Sequence, residues 1–229
     1  MISVCLATYN GERFIKEQLD SILCQLDKND EVILSDDGSK DQTLDIVKAY
    51  NDPRIHVYHN QNHGFVYNFE NAISHASGDY IFLSDQDDIW FPNKVARCLD
   101  LLQDHIIVNH NSLITDKDGK GDGNDFFSMH HSKGGFWQTI WRNSYSGCCM
   151  AFRKELLEWA LPFPKNIASH DIWLGLIAEK KGTSCFLDEP LIYYRRHGHN
   201  ASSTACKSEL GLIRKLKYRS YMLLHSIKR

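Results

Sequence analysis

The feature that most constrains the fold is the alternation of short apolar runs with amphipathic segments over the first half of the chain. The apolar runs predict four strands, at residues 2–7, 31–35, 55–59 and 80–83. Each run is followed by apolar residues at helical spacing, at about residues 14–26, 41–49, 65–76 and 92–102. The connections are short. Alternation of this kind favours an α/β domain with a mainly parallel central sheet flanked by helices.

The second half of the chain has a looser pattern, which predicts a mixed arrangement. Residues 116–135 are rich in Gly, Asp and Lys and predict a long mobile loop, which is either a lid over a site or a plain insertion. Further on, the pattern predicts a strand at 147–152, a helix from His170, a strand at 187–194 and a basic amphipathic helix at 206–227.

Composition and charge restrict the class of protein. The 229 residues carry a net charge of −3, which gives no reason to expect a nucleic-acid partner. The charge is uneven, because residues 207–229 contain seven Lys or Arg and a single acid. Seven cysteines without a metal-ligand or disulfide pattern predict reduced, packed thiols and a cytoplasmic location. Neither a signal peptide nor a membrane-spanning run is expected.

Polar loops come directly after three of the predicted strands. Residues 8–11 (TYNG) follow the first strand, residues 36–39 (DDGS) the second and residues 85–88 (DQDD) the fourth. In parallel α/β sheets, ligands bind at the carboxyl ends of the strands, so these loops predict one ligand site. The chain has neither a Gly-x-Gly-x-x-Gly turn after its first strand nor a Gly-Lys-Ser/Thr loop. We therefore do not expect phosphates to be held in a glycine cradle.

The third loop raises an electrostatic question. The carboxylates of Asp85, Asp87 and Asp88 repel one another and raise one another's pKa. A divalent cation that bridges carboxylate and phosphate oxygens removes this repulsion, and Mg²⁺ and Mn²⁺ prefer such ligands. A solvated acidic turn or a shared proton is the alternative. Two acidic loops at neighbouring strand ends beneath Tyr9 favour a nucleotide pocket with a cation at its diphosphate end.

Three motifs in this order resemble the family 2 glycosyltransferases of the GT-A fold. They are residues 7–11 (ATYNG), 35–41 (SDDGSKD) and 78–90 (GDYIFLSDQDDIW). Residues 146–152, 169–174 and 194–200 are similar to the bacterial branch that includes rhamnosyltransferases of surface polysaccharide assembly. The resemblance implies a metal-dependent, inverting enzyme. It would move a sugar from a UDP- or dTDP-linked donor to a saccharide or lipid-linked acceptor.

The resemblance also implies roles for single residues. The residues implied to contact the nucleoside and ribose are Ala7, Tyr9, Glu12, Asp36, Asp37 and Asp85. Asp87 is implied to bind Mn²⁺ or Mg²⁺, with Asp85 assisting and His197 closing the diphosphate or metal side. Of the three motif carboxylates, Asp88 is expected to tolerate replacement best. Asp171 matches the general base.

The chemistry of sugar transfer independently requires a second carboxylate, which must lie away from the metal. The acceptor hydroxyl must lose its proton during attack, and the transition state has oxocarbenium character. Asp171, at the start of a predicted helix and far along the chain from Asp87, suits that task. The alternative for Asp171 is a first-turn acid favoured by the helix dipole. For His197, a purely structural role stays open, and Trp90 and Trp173 are expected in the core.

These expectations divide the chain into one domain and one helix. Residues 1–205 form a single GT-A domain with a nucleotide-binding half at 1–104 and an acceptor half at 105–205. A basic amphipathic helix at 206–229 follows, and it either packs on the domain or docks peripherally on the inner face of the membrane. A homodimer that completes the acceptor side is left open. The competing functions are a nucleotidyltransferase and a non-catalytic nucleotide- or glycan-binding module.

Overall fold

The computed structural model describes residues 1–198 and 212–229, and its centre is one mixed sheet. The strands in these residues are β1 Ile2–Thr8, β2 Glu31–Asp36, β3 Ile55–His59, β4 Tyr80–Asp85, β5 Ile89–Trp90, β6 Ile107–Thr115, β7 Gly121–Asp125, β8 Met150–Arg153 and β9 Ser184–Arg195. The helices are α1 Ile15–Leu23, α2 Thr43–Ala49, α3 Phe65–His75, α4 Lys94–Leu101, α5 Phe126–His130, α6 Phe136–Trp141, α7 Leu156–Ala160, α8 His170–Lys181 and α9 Leu212–Ile227. A 3-10 turn at Gly147–Cys149 precedes β8.

The strand order confirms the predicted class. Neighbouring strands run β3-β2-β1-β4-β8-β6-β9-β5, with β7 beside β6. The first four strands are parallel, β8 is antiparallel to both β4 and β6, and β9 is parallel to β6. The first half of the chain is therefore a parallel α/β unit, and the second half makes the sheet mixed.

The register aligns the ends of the three strands that carry the polar loops. Thr8 of β1 lies opposite Asp36 of β2, and Ala7 lies opposite Asp85 of β4. Because parallel strands end at the same edge of a sheet, the loops after β1, β2 and β4 converge there.

Apolar side chains fill both faces of the sheet. Leu19 of α1 and Val95 of α4 pack with Val4 and Leu6 on one face, whereas Phe69 of α3 packs on the other. That second face is also covered by α7, α8 and α9. Trp90 is 3% exposed and Trp173 is fully buried, which confirms the expected core positions of both tryptophans.

The structure corrects the expectation of a long loop at 116–135. This segment contains β7, which pairs antiparallel with β6, and then α5. Asp125 caps α5 by accepting a hydrogen bond from the Ser128 N–H at 2.9 Å. The Gly-rich composition concealed the strand because its order comes from pairing with β6. The strand expected at 147–152 likewise begins as a 3-10 turn, and α6 and α7 were not predicted.

Helix α9 lies against α8. Lys180 Nζ donates a hydrogen bond to the Ser226 carbonyl at 2.7 Å, and Met222 is buried. The predicted helix start at 206 falls outside the described residues, as do His199 and Asn200. Within the described part of the chain, no helix has the length and apolar character needed to cross a bilayer.

Candidate active site

The loop after β1 is held to the acidic loop by Gln86. The Tyr9 N–H donates to Gln86 Oε1 at 2.9 Å, and Gln86 Nε2 donates to the Tyr9 carbonyl at 3.0 Å. A Cβ on Gly11 would lie 2.2 Å from the same Oε1, so a larger residue at this position would have to displace the Gln86 amide. The Tyr9 side chain is 53% exposed, whereas Ala7 at the end of β1 is half-buried. Tyr9 is thus fixed through its backbone while its ring stays exposed, and contact of this ring with a nucleoside stays a prediction.

Asp36 organises the loop after β2. Its Oδ2 accepts hydrogen bonds from the backbone N–H groups of Gly38 and Ser39, and its Oδ1 accepts from the hydroxyls of Thr8 and Ser39. The side chain is buried. With both oxygens occupied inside the loop, Asp36 acts on a ligand by shaping the loop, and direct contact with a nucleoside stays a prediction.

Asp37 lies at the rim of the same loop, beside the start of α3. Its Oδ1 accepts from Asn60 Nδ2 at 2.8 Å and lies 3.3 Å from His63 Nδ1, and its Oδ2 accepts from the Gly64 N–H at 2.8 Å. These contacts orient a carboxylate that is still partly exposed. His63 is three-quarters exposed, so the rim can adjust around a ligand.

Glu12 is hydrogen-bonded to the segment that leads into α2. Its carboxylate accepts the Gln42 N–H at 2.9 Å, and its own N–H donates to Asp41 at 3.0 Å. Glu12 therefore ties the β1 loop to the start of α2. Its predicted part in lining the base pocket stays a prediction.

The three motif carboxylates differ in depth. Asp85 is partly buried, and burial together with the charges of Asp87 and Asp171 raises its pKa to about 8. Asp88 is 1% exposed, and burial followed by the charges of Asp87 and Asp85 raises its pKa well above the usual range. Its Oδ1 accepts the Arg195 N–H at 3.3 Å. The Asp88 carboxyl is therefore part of the interior, and the expectation that it is the most replaceable of the three stays a prediction.

A buried lysine lies beneath this acidic loop. Lys94 is fully buried, and its Nζ donates to the Cys148 carbonyl at 2.8 Å and lies 4.0 Å from the centre of the Trp90 ring. Its charge lowers the pKa of Asp85, opposing the larger effects that raise it. The repulsion within the loop is thus partly offset from inside the protein.

His197 reaches Asp87 from the end of β9. Its Nε2 lies 2.7 Å from Asp87 Oδ2, and both side chains are 10% exposed. Phe14 holds this arm, since its ring stacks on His197 at 4.8 Å and lies 4.9 Å from the Arg195 guanidinium. Arg195 also pairs with Glu17 of α1 at 2.6 Å. The structure thereby brings together the two residues predicted to bind the metal.

Asp171 lies in the first turn of α8, far from Asp85 and Asp87 along the chain. Its Oδ1 accepts from the Ile172 N–H at 2.7 Å and from the Ser169 hydroxyl, and its Oδ2 accepts from Asn143 Nδ2 at 3.3 Å. The side chain is nearly buried. The charge of Asp171 is one of the causes that raise the pKa of Asp85, so the two carboxylates lie within electrostatic range of each other.

His170 precedes Asp171 and is enclosed by aromatic rings. Its imidazole stacks on Phe69 at 4.0 Å and meets Phe65 edge-on at 6.1 Å. A Cβ on Gly147 would lie 2.5 Å from its Nε2. Neither ring nitrogen has a hydrogen-bond partner among the described residues. Burial lowers the pKa of this histidine to about 4.

The donor set fits a hard divalent cation. Two adjacent ligands of an octahedral cation lie about 3 Å apart when each bond is about 2.1 Å. Asp87 Oδ2 and His197 Nε2 are joined by a hydrogen bond of 2.7 Å, which already holds the two ligand atoms close to that spacing. The ligand atoms of Asp85, Asp88 and Cys148 also lie within 4.8 Å of one another, but a thiol suits softer metals. Asp87 and His197 are therefore the better pair for Mg²⁺ or Mn²⁺.

Comparison with known proteins identifies the family. The model of the family described as "Glycosyl transferase family 2" matches residues 3–159, which is more than half of the chain. The chain belongs to glycosyl transferase family 2. It is therefore a glycosyltransferase with the GT-A fold, and this membership favours transfer of a sugar over the two competing functions considered from the sequence.

Individual relatives within family 2 agree with this assignment. The dTDP-rhamnosyl transferase RfbG of Shigella flexneri is 29% identical over 93% of this chain and 81% of its own length. S. aureus TarS 1–349, in complex with UDP-GlcNAc, has a TM-score of 0.69 at 22% identity, over 99% of this chain and 72% of that one. The mannosyltransferase PcManGT from Pyrobaculum calidifontis, in complex with GDP-Man and Mn²⁺, has a TM-score of 0.68 at 19% identity, covering all of this chain and 64% of that one. The two structures are similar in fold.

Several residues of this family 2 site were not found from the sequence. They are Phe14, Asn60, Gln86, Lys94, Asn143 and His170. Lys94 had a signal, since it shares one helix face with the apolar Val95 and Cys98. Gln86 had another, because it stands between Asp85 and Asp87 in a loop already singled out. The remaining four act through contacts that cross the chain and leave no local pattern.

Proposed function

We propose that this chain is a metal-dependent, inverting glycosyltransferase that uses a nucleoside-diphosphate sugar. The observation that carries the proposal is the 2.7 Å contact between Asp87 Oδ2 of the acidic loop and His197 Nε2, with Asp171 of α8 near enough for its charge to raise the pKa of Asp85. One carboxylate can then serve the cation and diphosphate while another serves the acceptor hydroxyl.

The donor is proposed to lie along the carboxyl ends of β1, β2 and β4. The exposed Tyr9 ring and the oriented Asp37 carboxylate would hold base and ribose, with Ala7 beneath. A UDP- or dTDP-linked sugar is proposed, and the similarity to a dTDP-rhamnosyl transferase supports the second. The acceptor is proposed to be a saccharide or a lipid-linked saccharide of bacterial surface polysaccharide assembly.

Asp87 and His197 are proposed to hold Mn²⁺ or Mg²⁺, with Asp85 beside them. A bound cation of this kind stabilises the negative charge that develops on a leaving diphosphate. Lys94 and the Arg195–Glu17 contact would support this end of the site from within the protein, by lowering the pKa of Asp85 and by anchoring the arm that carries His197.

Transfer is proposed to occur in one displacement. The acceptor oxygen forms a bond to the anomeric carbon as the bond from that carbon to the diphosphate oxygen breaks, and the anomeric configuration inverts. Asp171 takes the proton of the acceptor hydroxyl, and the nucleoside diphosphate leaves with the bonding electron pair. Asn143 and Ser169 would keep the Asp171 carboxylate turned to the acceptor. The six described cysteines are free thiols, in agreement with the proposed cytoplasmic location of the enzyme.

The test of the base is an Asp171→Asn variant. We expect the transfer rate to fall by about 10²–10⁴-fold, the usual contribution of general base catalysis. Binding of donor and Mn²⁺, measured by calorimetry, should remain within about threefold, because a polar group of the same shape is retained. Normal transfer by this variant would reject Asp171 as the base.

The donor itself can be found by thermal shift with a panel of nucleotide sugars, each with and without Mn²⁺. At 100 times its dissociation constant, a bound donor stabilises the folded state by about 2.7 kcal/mol and thereby raises the unfolding temperature. We expect the largest shift from a UDP- or dTDP-linked sugar, and only with the cation present. Equal shifts without the cation would contradict metal dependence.

A further inference from the structure

Two tryptophans stand out on the surface of the acceptor half. Trp137 is 63% exposed and Trp141 is 55% exposed, although both lie on the short helix α6. Residues four apart share one face of a helix, so both side chains project from the same face of α6. Exposed tryptophan pairs are unusual on a monomer surface, whereas tryptophan is enriched where a protein meets a membrane interface.

Helix α9 continues this apolar surface. Leu216, Leu224 and Ile227 are 43%, 58% and 61% exposed, on the side of α9 that faces away from the buried Met222. Arg219 joins the two helices: it donates to the Trp141 carbonyl at 2.7 Å, and its guanidinium lies 4.7 Å from the centre of the Trp141 ring. We call the exposed part of α6 and α9 the α6–α9 surface.

The charge of the α6–α9 surface has a single sign. Residues 212–229 contain six Lys or Arg and no acid, and residues 126–143 contain only Lys133 and Arg142 as charged residues. Lys217, Lys228 and Arg142 are exposed. Apolar side chains ringed by cations, with no acid in these segments, are complementary to a sheet of anionic lipid headgroups.

The α6–α9 surface adjoins the catalytic base. Asn143, two residues beyond α6, donates to Asp171, and the charge of Asp171 is one cause of the raised pKa of Tyr218 on α9, after burial. A bilayer on this surface would bring headgroup-level acceptors close to Asp171.

We propose that the α6–α9 surface docks the enzyme on an anionic phospholipid bilayer. Trp137, Trp141 and the exposed leucines enter the headgroup region, and the cations contact lipid phosphates. This inference deepens the proposed function, because it assigns the acceptor to a membrane surface. A soluble glycan stacked on the two tryptophans is the competing occupant, but it leaves the exposed stripe of α9 and its cations unexplained.

The test is sedimentation of the full chain with phosphatidylcholine vesicles, with and without phosphatidylglycerol at about one third of the lipid. The wild-type chain should bind the anionic vesicles and not the neutral ones. Lys217→Gln/Lys228→Gln should weaken binding to the anionic vesicles about tenfold or more, because each lysine near such a surface contributes about 1 kcal/mol to binding. The matched control Lys28→Gln/Lys48→Gln removes two exposed charges from α2 and the loop before β2, and should bind like the wild type.

A second readout addresses the tryptophans directly. Brominated lipids quench only tryptophans that enter the bilayer, so the wild-type fluorescence should fall on binding. Trp137→Gln/Trp141→Gln should abolish most of this quenching, because Trp90 and Trp173 are buried and the half-buried Trp159 packs against the core on α7, outside the α6–α9 surface.

Both readouts need neither donor nor cation, so they can fail while donor binding and transfer succeed. No binding to anionic vesicles, or equal loss in the Lys28/Lys48 control, would overturn the proposal. Unchanged vesicle binding by the tryptophan variant, with a raised KM for a soluble saccharide acceptor, would assign Trp137 and Trp141 to a glycan instead.

Discussion

At the scale of single residues, the site depends on side chains that hold other side chains. Gln86 is such a residue, because its amide makes both backbone hydrogen bonds of Tyr9 and fills the space beside Gly11. The loop after β1 is therefore held in place by Gln86, the residue between the motif carboxylates Asp85 and Asp87. Preorganisation of this kind contributes affinity because less ordering remains to be done on binding.

This role of Gln86 predicts a non-additive mutational cycle. Gly11→Ala places a Cβ against Gln86 Oε1 and should displace that amide from Tyr9. We expect Gly11→Ala and Gln86→Ala each to weaken nucleotide binding about tenfold, as the loss of one or two hydrogen bonds would. The double variant should bind no more weakly than the worse single variant. Calorimetric titration with UDP or dTDP measures all three, and additive losses would contradict the coupling.

His170 predicts a pH dependence of stability. Its folded pKa of about 4 lies below the usual value of 6.5, so the folded state holds the imidazole neutral. The unfolded state then binds more protons between these values, and stability is lost as the pH falls from about 6.5 towards 4. Between pH 7 and pH 5 we expect His170 to cost about 2 kcal/mol of the free energy of unfolding.

Urea unfolding at pH 7 and at pH 5 measures this change in the free energy of unfolding. His170→Gln cannot titrate, so its change in stability between pH 7 and pH 5 should be smaller than that of the wild type by this amount. His59→Gln, at an exposed histidine of β3, is the matched control and should behave like the wild type. An unchanged pH profile in His170→Gln would assign the acid sensitivity to other groups.

At the scale of elements, α1 does more than cover the sheet. Its amino end carries Phe14 and Glu17, which hold the arm at the end of β9 through Arg195 and His197. This arm makes a contact between residues that are distant in the sequence, because Asp87 and His197 are 110 residues apart. The position of a proposed metal ligand is thus set by an element from the other half of the chain.

Loss of the Phe14 ring should therefore weaken the apparent affinity for Mn²⁺ more than it lowers kcat. In Phe14→Ala we expect the Mn²⁺ concentration for half-maximal transfer to rise about tenfold, because His197 must be ordered on binding. The kcat at saturating Mn²⁺ should stay within about twofold. Phe91→Ala is the control, since it removes a similar ring contact, to Tyr193 of the same strand at 4.6 Å. A fall in kcat with no change in the Mn²⁺ requirement would contradict this positioning role.

At the scale of the whole molecule, α9 belongs to the core as well as to the surface. Met222 is 1% exposed in the cluster formed with α3, α7 and α8, while Leu224 is 58% exposed. Its two faces therefore have different tasks: one stabilises the fold, and the other is the α6–α9 surface. The sequence left both packing on the domain and docking on a membrane open for this helix, and the buried Met222 shows that it packs on the domain.

This packing predicts different costs for two substitutions on the same helix. Met222→Ala should lower the free energy of unfolding by about 2–5 kcal/mol in a single cooperative transition, because it leaves a cavity. Leu224→Ala should change it by no more than about 0.5 kcal/mol, as usual at exposed positions. Chemical denaturation followed by circular dichroism distinguishes the two. Equal small effects would show that α9 is dispensable for the fold.

The sequence by itself determined the local pattern: the strands of the parallel half, the helices between them and the polar loops at their carboxyl ends. Period-2 and helical spacing are properties of neighbouring residues, so they can be recognised without the fold. Tertiary structure alone decided which distant residues meet. It placed His197 on Asp87, brought Asn143 to Asp171, buried Lys94 beneath the carboxylates and made a strand of residues 121–125. Such contacts depend on strand order and register over long separations, and no local pattern encodes them.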